Sequence, residues 1–365
     1  MTQEKLREIA SYFSLEGEVE SIAPLGEGFI NDTFVVRTVG SAPDYILQRK
    51  NHNVFPDVPA MMDNIKAVTE HIKRKVADPL RQTLTVIETH DGALYHKDGE
   101  NFWAVCIFIP GTSTYDRADS PALAYQGGKG IGQFQRLLSD FDQPLSETIK
   151  GFHNIRHRFE QWDQMLKADP MGRVKELSTE IEWIESRRAE MMAFWSKVET
   201  GEIPTHVIHN DTKISNILFD SATGDVLCAI DLDTVMSSTS LNDFGDAIRS
   251  YANTGAEDDP VLDNVEMSLE MFRAYTEGYL SEQREAMSAS EKEWLAFSAI
   301  YITFEQVLRF LMDYMDGEKY WKTAYEGHTL VRTHAQYKLL QSMERQYPEM
   351  RRIVDALPIL LFARF

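Results

Sequence analysis

Residues 206–234 decide the fold, and they read HVIHNDTKISNILFDSATGDVLCAIDLDT. Within this stretch, two short apolar runs at 217–219 and 226–230 flank a cluster of turn-forming residues at 221–225. Two strand-like runs separated by such a cluster predict a β-hairpin. Polar residues stand at both outer ends of this predicted hairpin, which makes those ends the first place to look for chemistry.

The polar residues have the spacing of a phosphotransfer site. Asp211 lies five positions before Asn216, as in the H-R-D-x-x-x-x-N catalytic loop of kinases, and Asp231 takes the place of the metal-binding Asp of D-F-G. Phosphoryl transfer needs an acceptor hydroxyl held in line and charge neutralised on the phosphate oxygens. Asp211 is therefore the candidate catalytic base, and Asn216 and Asp231 are candidate Mg²⁺ ligands. The alternative is a plain hairpin with ordinary surface Asp and Asn.

Composition limits the classes of function. A chain of 365 residues, 43% of them hydrophobic, suits two domains or one large domain in two lobes. Lys plus Arg total 37 against 57 for Asp plus Glu, a net charge of −20. Such a surface repels phosphate backbones and anionic lipid, so we expect neither nucleic acid nor membrane as a partner.

The chain is expected to be cytoplasmic, and we also expect a monomer. Cys106 and Cys228 both lie in apolar runs and are expected to be buried thiols, which fits a reducing compartment. The stretch Met1–Ala10 lacks the apolar segment of a signal peptide. No apolar run approaches the ~18 residues expected of a membrane span.

A glycine-containing turn follows the first predicted strand. Gly26, Gly28 and Asn31 lie between strands predicted at 19–23 and 34–37. Strand, glycine-rich turn, strand is the context in which kinases cover ATP phosphates with backbone N–H groups. The three residues are therefore candidates for nucleotide binding, although Asn31 stands where the kinase pattern has a third glycine. A simple hairpin turn is the alternative.

The next predicted strand, 45–49, corresponds to the kinase strand that carries a phosphate-binding Lys. Register decides whether Gln48 or Arg49 faces the phosphates, and both remain candidates. Further along, the apolar run 102–109 predicts a buried strand that ends in a linker. Its last residues would lie nearest the adenine of ATP, and they are Phe108 and Ile109.

Most of the helical pattern lies beyond this linker, and one helix and two further strands are predicted before it. Apolar residues at helical spacing predict helices at 59–76, 122–138, 180–198, 267–280, 291–314 and 330–344, with another opening at Asn242 or Asp243. Strands are also predicted at 84–88 and 93–95. We therefore predict a two-lobed α+β kinase-like fold with ATP between the lobes: a nucleotide-binding lobe, 1–110, with an antiparallel sheet, and a helical lobe, 111–365, with the catalytic loop and substrate pocket.

These motifs resemble the aminoglycoside phosphotransferase and choline kinase superfamily. The resemblance is carried by His209–Asn216 and Ile230–Thr234. Within that superfamily, the chain is similar to N-acetylhexosamine 1-kinases over nearly its whole length. Further matching stretches are Tyr45–Gln48, Asp243–Asp246, Phe272–Gly278 and Asn31. Phe29 departs from this family, whose glycine loop has a polar His there, and Ile109-Pro110-Gly111 departs from the family hinge.

The resemblance implies a reaction and residue roles. It implies Mg²⁺-dependent transfer of the γ-phosphoryl group of ATP to the anomeric hydroxyl of an N-acetylhexosamine, with Asp211 orienting that hydroxyl. Asn216 and Asp231 would hold magnesium, and Arg309 and Tyr320 match positions that line the sugar pocket. An Arg fork and a Tyr ring are apt donors to a neutral polyol. The alternative for Arg309 is pairing along its own helix.

Other functions stay open at this point. A kinase of the same superfamily could act on an amino alcohol or another sugar. A protein kinase is disfavoured, because no A-P-E segment follows Asp231. A catalytically silent binding module would most simply have lost one of Asp211, Asn216 and Asp231, and the chain has all three.

Overall fold

The computed structural model describes residues 1–26, 31–283 and 287–357. The chain divides into two units. The first comprises Met1–Thr114, Asp140–Lys150 and Ile217–Met236, and the second comprises Tyr115–Ser139, Gly151–Asn216 and Ser237–Phe365. This division differs from the contiguous ranges 1–110 and 111–365, because the predicted hairpin packs with the N-terminal part of the chain. The functional boundary between lobes stays a prediction.

An antiparallel sheet forms the centre of the first unit. Its strands are β1 (Val19–Pro24), β2 (Asp32–Thr38), β3 (Tyr45–Lys50), β4 (Val86–Ile87), β5 (His96–Asp98) and β6 (Asn101–Ile107). Their order is β1-β2-β3-β6-β4, and β5 also pairs with β6. One face of the sheet buries a core with the helix α1 (Gln3–Ala10), to which Ile9, Val36, Leu47 and Trp103 contribute. The predicted N-terminal sheet is confirmed.

The strand predicted at 93–95 is wrong. Pairing between β5 and β6 starts at Asp98 and Asn101, because Gly99 adopts a left-handed backbone with φ 61° and turns the chain there. The position of this turn moves the strand to residues 96–98. The helix α2 (Val58–Lys73) confirms the prediction for 59–76, although it ends three residues earlier.

The hairpin that the sequence predicts is present. Its strands are β9 (Ile217–Asp220) and β10 (Val226–Ala229), which pair antiparallel. A short strand, β7 (Thr112–Ser113), pairs with the other edge of β9. Gly224 supplies the left-handed residue of the turn, with φ 76°.

Helices dominate the second unit. They are α3 (Pro121–Leu137), α4 (Ile155–Ala168), α5 (Ser178–Glu185), α6 (Arg188–Glu199), α7 (Ser240–Tyr251), α8 (Leu269–Gln283), α9 (Ala289–Met315) and α10 (His328–Ala356). Two short strands, β8 (His206–Ile208) and β11 (Met236–Ser238), precede and follow the hairpin region. The helical C-terminal region is thus confirmed, and with it the α+β class of the fold.

Two helix predictions need correction. The helix predicted at 180–198 is broken into α5 and α6, because Ser186 and Arg187 donate side-chain hydrogen bonds to the carbonyl oxygen of Trp183 and end the first helix. The helix predicted to open at Asn242 or Asp243 begins earlier. Its N-cap is Thr239, whose hydroxyl oxygen accepts from the N–H of Leu241 at 3.4 Å.

α9 is an apolar helix of 27 residues. Among the described residues, it alone is long and apolar enough to cross a membrane, and 89% of its most apolar window is buried inside the protein. Burial in the core accounts for this composition without a membrane. In the sequence, Glu305, Gln306 and Arg309 interrupt the apolar residues of this helix. For this reason the sequence shows no unbroken apolar run of membrane-spanning length there.

Glycines allow α3 and α8 to pack closely. A Cβ added at Gly128 would lie 2.1 Å from the carbonyl oxygen of Tyr275, and one at Gly278 would lie 2.0 Å from that of Tyr125. Real side chains do not tolerate such distances, so the two helices can meet only where these residues lack a Cβ. The contact fixes α3 against α8.

We predict that Gly128→Ala destabilises the protein. The added methyl group would collide with backbone, and overpacking of this kind costs about 1–3 kcal/mol even though Ala favours helix. Denaturant unfolding of the variant and wild type measures the difference. Ala122→Ser, which adds one heavy atom at an exposed position of the same helix, is the control, and a Gly128→Ala variant of unchanged stability would contradict the packing argument.

Candidate active site

The loop that follows β8 is fixed by a buried carboxylate on α7. The N–H groups of His209 and Asn210 donate to the two side-chain oxygens of Asp243, at 2.9 and 2.7 Å. Gln135 on α3 donates to Asp243 as well, at 2.9 Å. Burial raises the pKa of the Asp243 carboxyl, and these donors oppose the rise because they favour its charged form. The chain therefore reaches residue 211 with two consecutive peptide groups held.

The backbone on the other side of Asp211 is held too. Asn210 has a left-handed backbone, φ 68°, which Asn tolerates better than most residues. Thr212 donates its N–H to Asp246 Oδ2 at 2.9 Å and its hydroxyl to the carbonyl oxygen of Asp243 at 2.7 Å. The Asp211 side chain thus projects from a loop that is anchored before and after it.

Asp211 has two side-chain partners from its own loop. Its Oδ2 accepts from Lys213 Nζ at 2.9 Å and from Asn216 Nδ2 at 3.0 Å. Burial alone would raise the pKa of Asp211, but the charge and hydrogen bond of Lys213 lower it below its ordinary value. Asp211 is therefore a carboxylate at neutral pH, and the structure brings it together with Asn216, as the sequence predicted.

Asp231 follows the second strand of the hairpin in the first unit. Its backbone is left-handed, with φ 58°, and a 3₁₀ turn follows at Leu232–Thr234. Ile217 pairs with Ala229, so the chain enters β9 and leaves β10 at the same end of the hairpin. Asp231 comes two residues after that pair in the sequence. The strand pairing therefore ends two residues before Asp231.

The buried cation of β3 is Lys50. It lies one residue after the end of the strand predicted at 45–49. Its Nζ donates to Asp233 Oδ1 at 2.7 Å and to Gln48 Oε1 at 2.8 Å. The side chains of Lys50 and Asp233 are 5% and 4% exposed. Asn31 Nδ2 donates to the other Asp233 oxygen, at 2.7 Å. Asn31 and Gln48 therefore belong to one buried polar cluster around Asp233.

The register of β3 separates Gln48 from Arg49. Alternate residues of a strand share a face, so Gln48 lies on the face of Lys50 while Arg49 points away from it and pairs with Asp32. Gln48 Nε2 also donates to Thr33 Oγ1 at 3.2 Å. Of the two candidates, Gln48 is the one beside the buried cluster, and phosphate binding by either stays a prediction.

The glycine turn is described only in part. Gly26 has φ 68°, a backbone that favours glycine, and a Cβ at this position would meet no atom of the described residues within 4 Å. Gly28 and Phe29 lie outside the described residues.

The expected adenine-binding segment uses some of its backbone groups internally. The N–H of Phe108 donates to the carbonyl oxygen of Asp44 at 2.8 Å. The carbonyl oxygen of Ile109 accepts from Thr112 Oγ1 at 2.9 Å. Adenine binding at Phe108 and Ile109 stays a prediction, and any contact there would have to use the remaining groups of these residues.

Arg309 lies among three aromatic rings in the second unit. Its guanidinium carbon is 5.4, 5.8 and 5.1 Å from the ring centroids of Phe152, Tyr320 and Trp321. Its Nη1 donates to Gln306 Oε1 at 3.3 Å. The structure thus brings Arg309 and Tyr320 together, and the pairing along the helix that the sequence left open is made with Gln306.

A buried carboxylate holds the loop that carries Tyr320. Asp313 Oδ1 accepts from the N–H of Tyr320 at 2.8 Å. Asp313 Oδ2 is buried and has no hydrogen-bond partner among the described residues. Burial raises the pKa of the Asp313 carboxyl. The Asp313 side chain therefore holds the backbone of the loop at Tyr320.

Sequence reasoning missed several charged groups at these sites. Lys50 was excluded by ending the strand at 49, although period-two alternation from Gln48 would have included it. Asp233 and Asp243 were part of matched motifs, but nothing local indicated what they contact. His153 and Glu305 carried no local signal, since they form a buried pair at 2.5 Å across 152 positions of sequence.

The described residues contain no group of three or more His, Cys, Asp and Glu side chains that could hold a metal. A magnesium ion of the kinase type needs fewer protein ligands, because it keeps waters and takes phosphate oxygens of the nucleotide. The donor set fits that pattern. Asn216 uses its Nδ2 on Asp211, so its amide oxygen would be the group for a cation, and Asp231 has a carboxylate; magnesium binding by either residue stays a prediction.

We predict that Lys50→Ala is strongly destabilising. Removal of one partner leaves the buried Asp233 charge uncompensated, which costs about 3–5 kcal/mol. Arg49→Ala, in the same strand, is the matched control, because Arg49 and Asp32 form an exposed pair for which about 0–1 kcal/mol is expected. Urea unfolding of both variants measures the contrast. Equal effects would contradict the burial-based assignment, and Asp233→Asn in the Lys50→Ala background should restore part of the loss.

Comparisons with known proteins identify the family of the chain. A family model described as phosphotransferase enzyme family matches residues 21–282. Among solved structures, a microcompartment-associated aminopropanol kinase has a TM-score of 0.68 at 14% identity, covering 98% of this chain and 99% of that one. Spectinomycin phosphotransferase in complex with ADP and spectinomycin has 0.56 at 11%, covering 96% and 99%. Choline kinase from Cryptosporidium parvum has 0.55 at 12%, covering 93% and 91%.

Identities this low show a shared fold and nothing finer. The family model is a stronger finding, because its match extends over well more than half of the chain and includes the loop at 209–216, the hairpin and the segment after it. The chain therefore belongs to the phosphotransferase enzyme family.

Proposed function

We propose that this protein is a small-molecule kinase that transfers the γ-phosphoryl group of ATP to the anomeric hydroxyl of an N-acetylhexosamine and releases the sugar 1-phosphate. The observation that carries the proposal is the Asp211 site, where a carboxylate is kept ionised by Lys213 and oriented by Asn216. Family membership supports phosphotransfer, and ADP in one solved structure of this fold supports a nucleotide donor.

Asp211 would act as the general base. Its Oδ2 is engaged by Lys213 and Asn216, so Oδ1 is the oxygen available to the acceptor hydroxyl. A base must be deprotonated before reaction, and the lowered pKa of Asp211 meets that condition at neutral pH. An anomeric hydroxyl is more acidic than an ordinary alcohol, so an ordinary carboxylate suffices.

Asn216 and Asp231 would hold magnesium through an amide and a carboxylate oxygen. When bound, the ion neutralises charge on the phosphate oxygens. Asn216 would have two roles, because its nitrogen orients Asp211 while its oxygen faces the cation. Gly26, Gly28, Asn31, Gln48, Phe108 and Ile109 remain our proposed nucleotide contacts. Arg49 is the weaker candidate, since it lies on the face of β3 opposite Lys50.

The surroundings of Arg309 support a neutral, hydroxyl-rich acceptor. Arg309 already occupies the space among the Phe152, Tyr320 and Trp321 rings. An ammonium substrate would compete for those ring faces and be repelled by the guanidinium. Asp313 is four residues further along α9, on the same helix face, and it holds the backbone of the loop at Tyr320.

An amino-alcohol kinase is the second candidate. It is favoured by the likeness of fold to an aminopropanol kinase and a choline kinase. The two candidates differ in the charge of the acceptor, which makes them easy to separate. We further propose a cytoplasmic monomer with a nucleotide-binding lobe in 1–110 and no nucleic-acid or membrane partner, supported by the net charge of −20.

One screen decides between the acceptor classes. ATP consumption is measured with N-acetylglucosamine, N-acetylgalactosamine, hexoses, choline, aminopropanol and an aminoglycoside, each with and without Mg²⁺. We expect activity with the N-acetylhexosamines, and a product that is the 1-phosphate by NMR. Activity confined to the amino alcohols would overturn the proposed acceptor while leaving the kinase assignment in place.

We predict that Asp211→Asn lowers kcat by about 10²–10⁴-fold with little change in sugar binding, because the variant keeps its size but cannot accept a proton. Steady-state kinetics and a sugar-binding titration measure the two effects. Asp231→Asn is the contrasting variant, and it should raise the Mg²⁺ concentration needed for half-maximal rate. Near-normal turnover of Asp211→Asn would show that another group is the base.

We predict that Arg309→Ala raises the KM for the sugar and leaves the KM for ATP nearly unchanged, since the guanidinium would contact only the acceptor. A loss of about 1–3 kcal/mol is expected for a hydrogen bond from a charged donor, which is about 5–150-fold in kcat/KM. Arg332→Ala, which removes another guanidinium near an aromatic ring, is the control. The assignment fails if Arg309→Ala weakens ATP and spares the sugar.

A further inference from the structure

A buried ion cluster lies beside the catalytic loop, and the proposed reaction does not use it. His153, just before α4, has φ 55° and is 4% exposed. Its Nδ1 lies 2.5 Å from Glu305 Oε2, and its Nε2 lies 3.1 Å from the carbonyl oxygen of Asn210. Glu305 is 1% exposed and also accepts from Arg158 Nε at 3.0 Å. The cluster thus links α4 and α9 to the residue that precedes Asp211.

The partners of His153 determine its protonation state. A carboxylate and a backbone carbonyl are both acceptors, so each ring nitrogen must donate. Neutral imidazole has a single N–H, whereas the imidazolium ion has two. The geometry therefore requires a charged ring at His153, whichever tautomer a neutral ring would adopt.

The charges around His153 agree with this. Burial alone would lower the pKa of His153, but the charge and hydrogen bond of Glu305 raise it above its ordinary value. Asp246 on α7 adds to the rise, and Arg309 on α9 opposes it. Burial would raise the pKa of Glu305, but His153, Arg158 and Arg309 together lower it. Within the described residues, Glu305 is thus the anion of the cluster and His153 a cation.

The hydrogen bond to Asn210 acts on the peptide group that joins this residue to Asp211. A peptide unit is planar, so the Asn210 carbonyl and the Asp211 N–H turn together. The N–H side of that unit has a weak partner, His209 Nδ1 at 3.3 Å. His153 therefore supplies the stronger restraint on the plane from which Asp211 projects.

We propose that His153, as an imidazolium held by Glu305, is a positioning residue that fixes the peptide before Asp211 and thereby the direction of the Asp211 carboxylate. The proposal rests on the proposed role of Asp211 as the base. His153 would contact neither substrate. Replacing His153 should therefore lower kcat and leave both KM values nearly unchanged.

The contribution of His153 to kcat should depend on pH, and the direction of the dependence follows from the charge of the ring. Because the pKa of His153 is raised in the folded protein, the ring stays charged through the range where an exposed His loses its proton, about 6.5. As the pH rises through the folded-state value, the second N–H is lost and a ring lone pair faces an acceptor. The loop then loosens, and kcat falls on the alkaline side.

The test uses two variants and a matched control. His153→Gln removes the ring, and Glu305→Gln keeps the shape but removes the charge that holds the proton. His157→Gln is the control, because His157 lies on α4, is partly exposed and lies 3.7 Å from Glu160. The readouts are ring-nitrogen NMR shifts, assigned by comparison with His153→Gln, hydrogen exchange of residues 206–216, and kcat against pH with N-acetylglucosamine and ATP.

We expect wild-type His153 to be protonated on both nitrogens at neutral pH. Exchange of residues 206–216 should be faster in both variants and unchanged in His157→Gln. Loss of alignment should lower kcat of His153→Gln by about 10–10²-fold, with each KM within about twofold. In Glu305→Gln the alkaline fall of kcat should move to lower pH.

Three results would overturn the proposal: a singly protonated His153 ring, unchanged loop exchange in both variants, or a pH profile that Glu305→Gln does not move. If the wild-type protein phosphorylates neither N-acetylglucosamine nor N-acetylgalactosamine, the proposed acceptor is wrong. The NMR shifts and the loop exchange then still decide the role of His153, because neither requires turnover. Should Glu305→Gln fail to fold, His153→Gln with its control suffices.

Discussion

Two consecutive N–H groups, those of His209 and Asn210, donate to one buried carboxylate, Asp243. The position of Asp211 depends on this interaction, because a side chain is placed only as well as the backbone that carries it. A buried N–H without a partner costs about 1–3 kcal/mol, so the loop has a strong preference for the conformation that satisfies both. Asp243 lies in the first turn of α7, where the helix dipole favours negative charge.

The packing of α7 in turn fixes Asp243. The ring of the next residue, Phe244, contacts Tyr275 and Tyr279 of α8, with centroids 5.7 and 5.2 Å away. On another side, a Cβ at Gly245 would lie 2.3 Å from the carbonyl oxygen of Ser298 in α9. Three successive residues of α7 thus contact the loop before Asp211, α8 and α9. The geometry of the candidate site therefore depends on the packing of the aromatic core in the second unit.

Charge is arranged locally in a chain that carries a net −20. Each unit places a buried cation against a carboxylate near a predicted functional residue, Lys50 in the first unit and His153 in the second. A buried ion pair adds little net stability, because the desolvation of both charges offsets their attraction. Its effect is on geometry, since neither partner can move without leaving the other unpaired. Such pairs suit positions where direction matters more than stability.

The sequence by itself determined the features that depend on residues close together along the chain. The interval from Asp211 to Asn216, the hairpin that follows and the helical pattern beyond it are local, because each depends on residues a few positions apart. The hydrogen bond between Asn216 and Asp211 is of this kind and could be predicted. Strand ends and helix breaks were less certain, since single side chains such as Ser186 and Arg187 decide them.

Only the tertiary structure decided which distant charges meet. Lys50 and Asp233 are 183 positions apart, Asn210 and Asp243 are 33 apart, and His153 and Glu305 are 152 apart. No periodicity or motif in the sequence specifies such a partner, because the contact exists only once strands and helices have packed and excluded water. Once these groups are buried, each charge needs its partner. An unpaired charge costs far more free energy in the interior than at the surface.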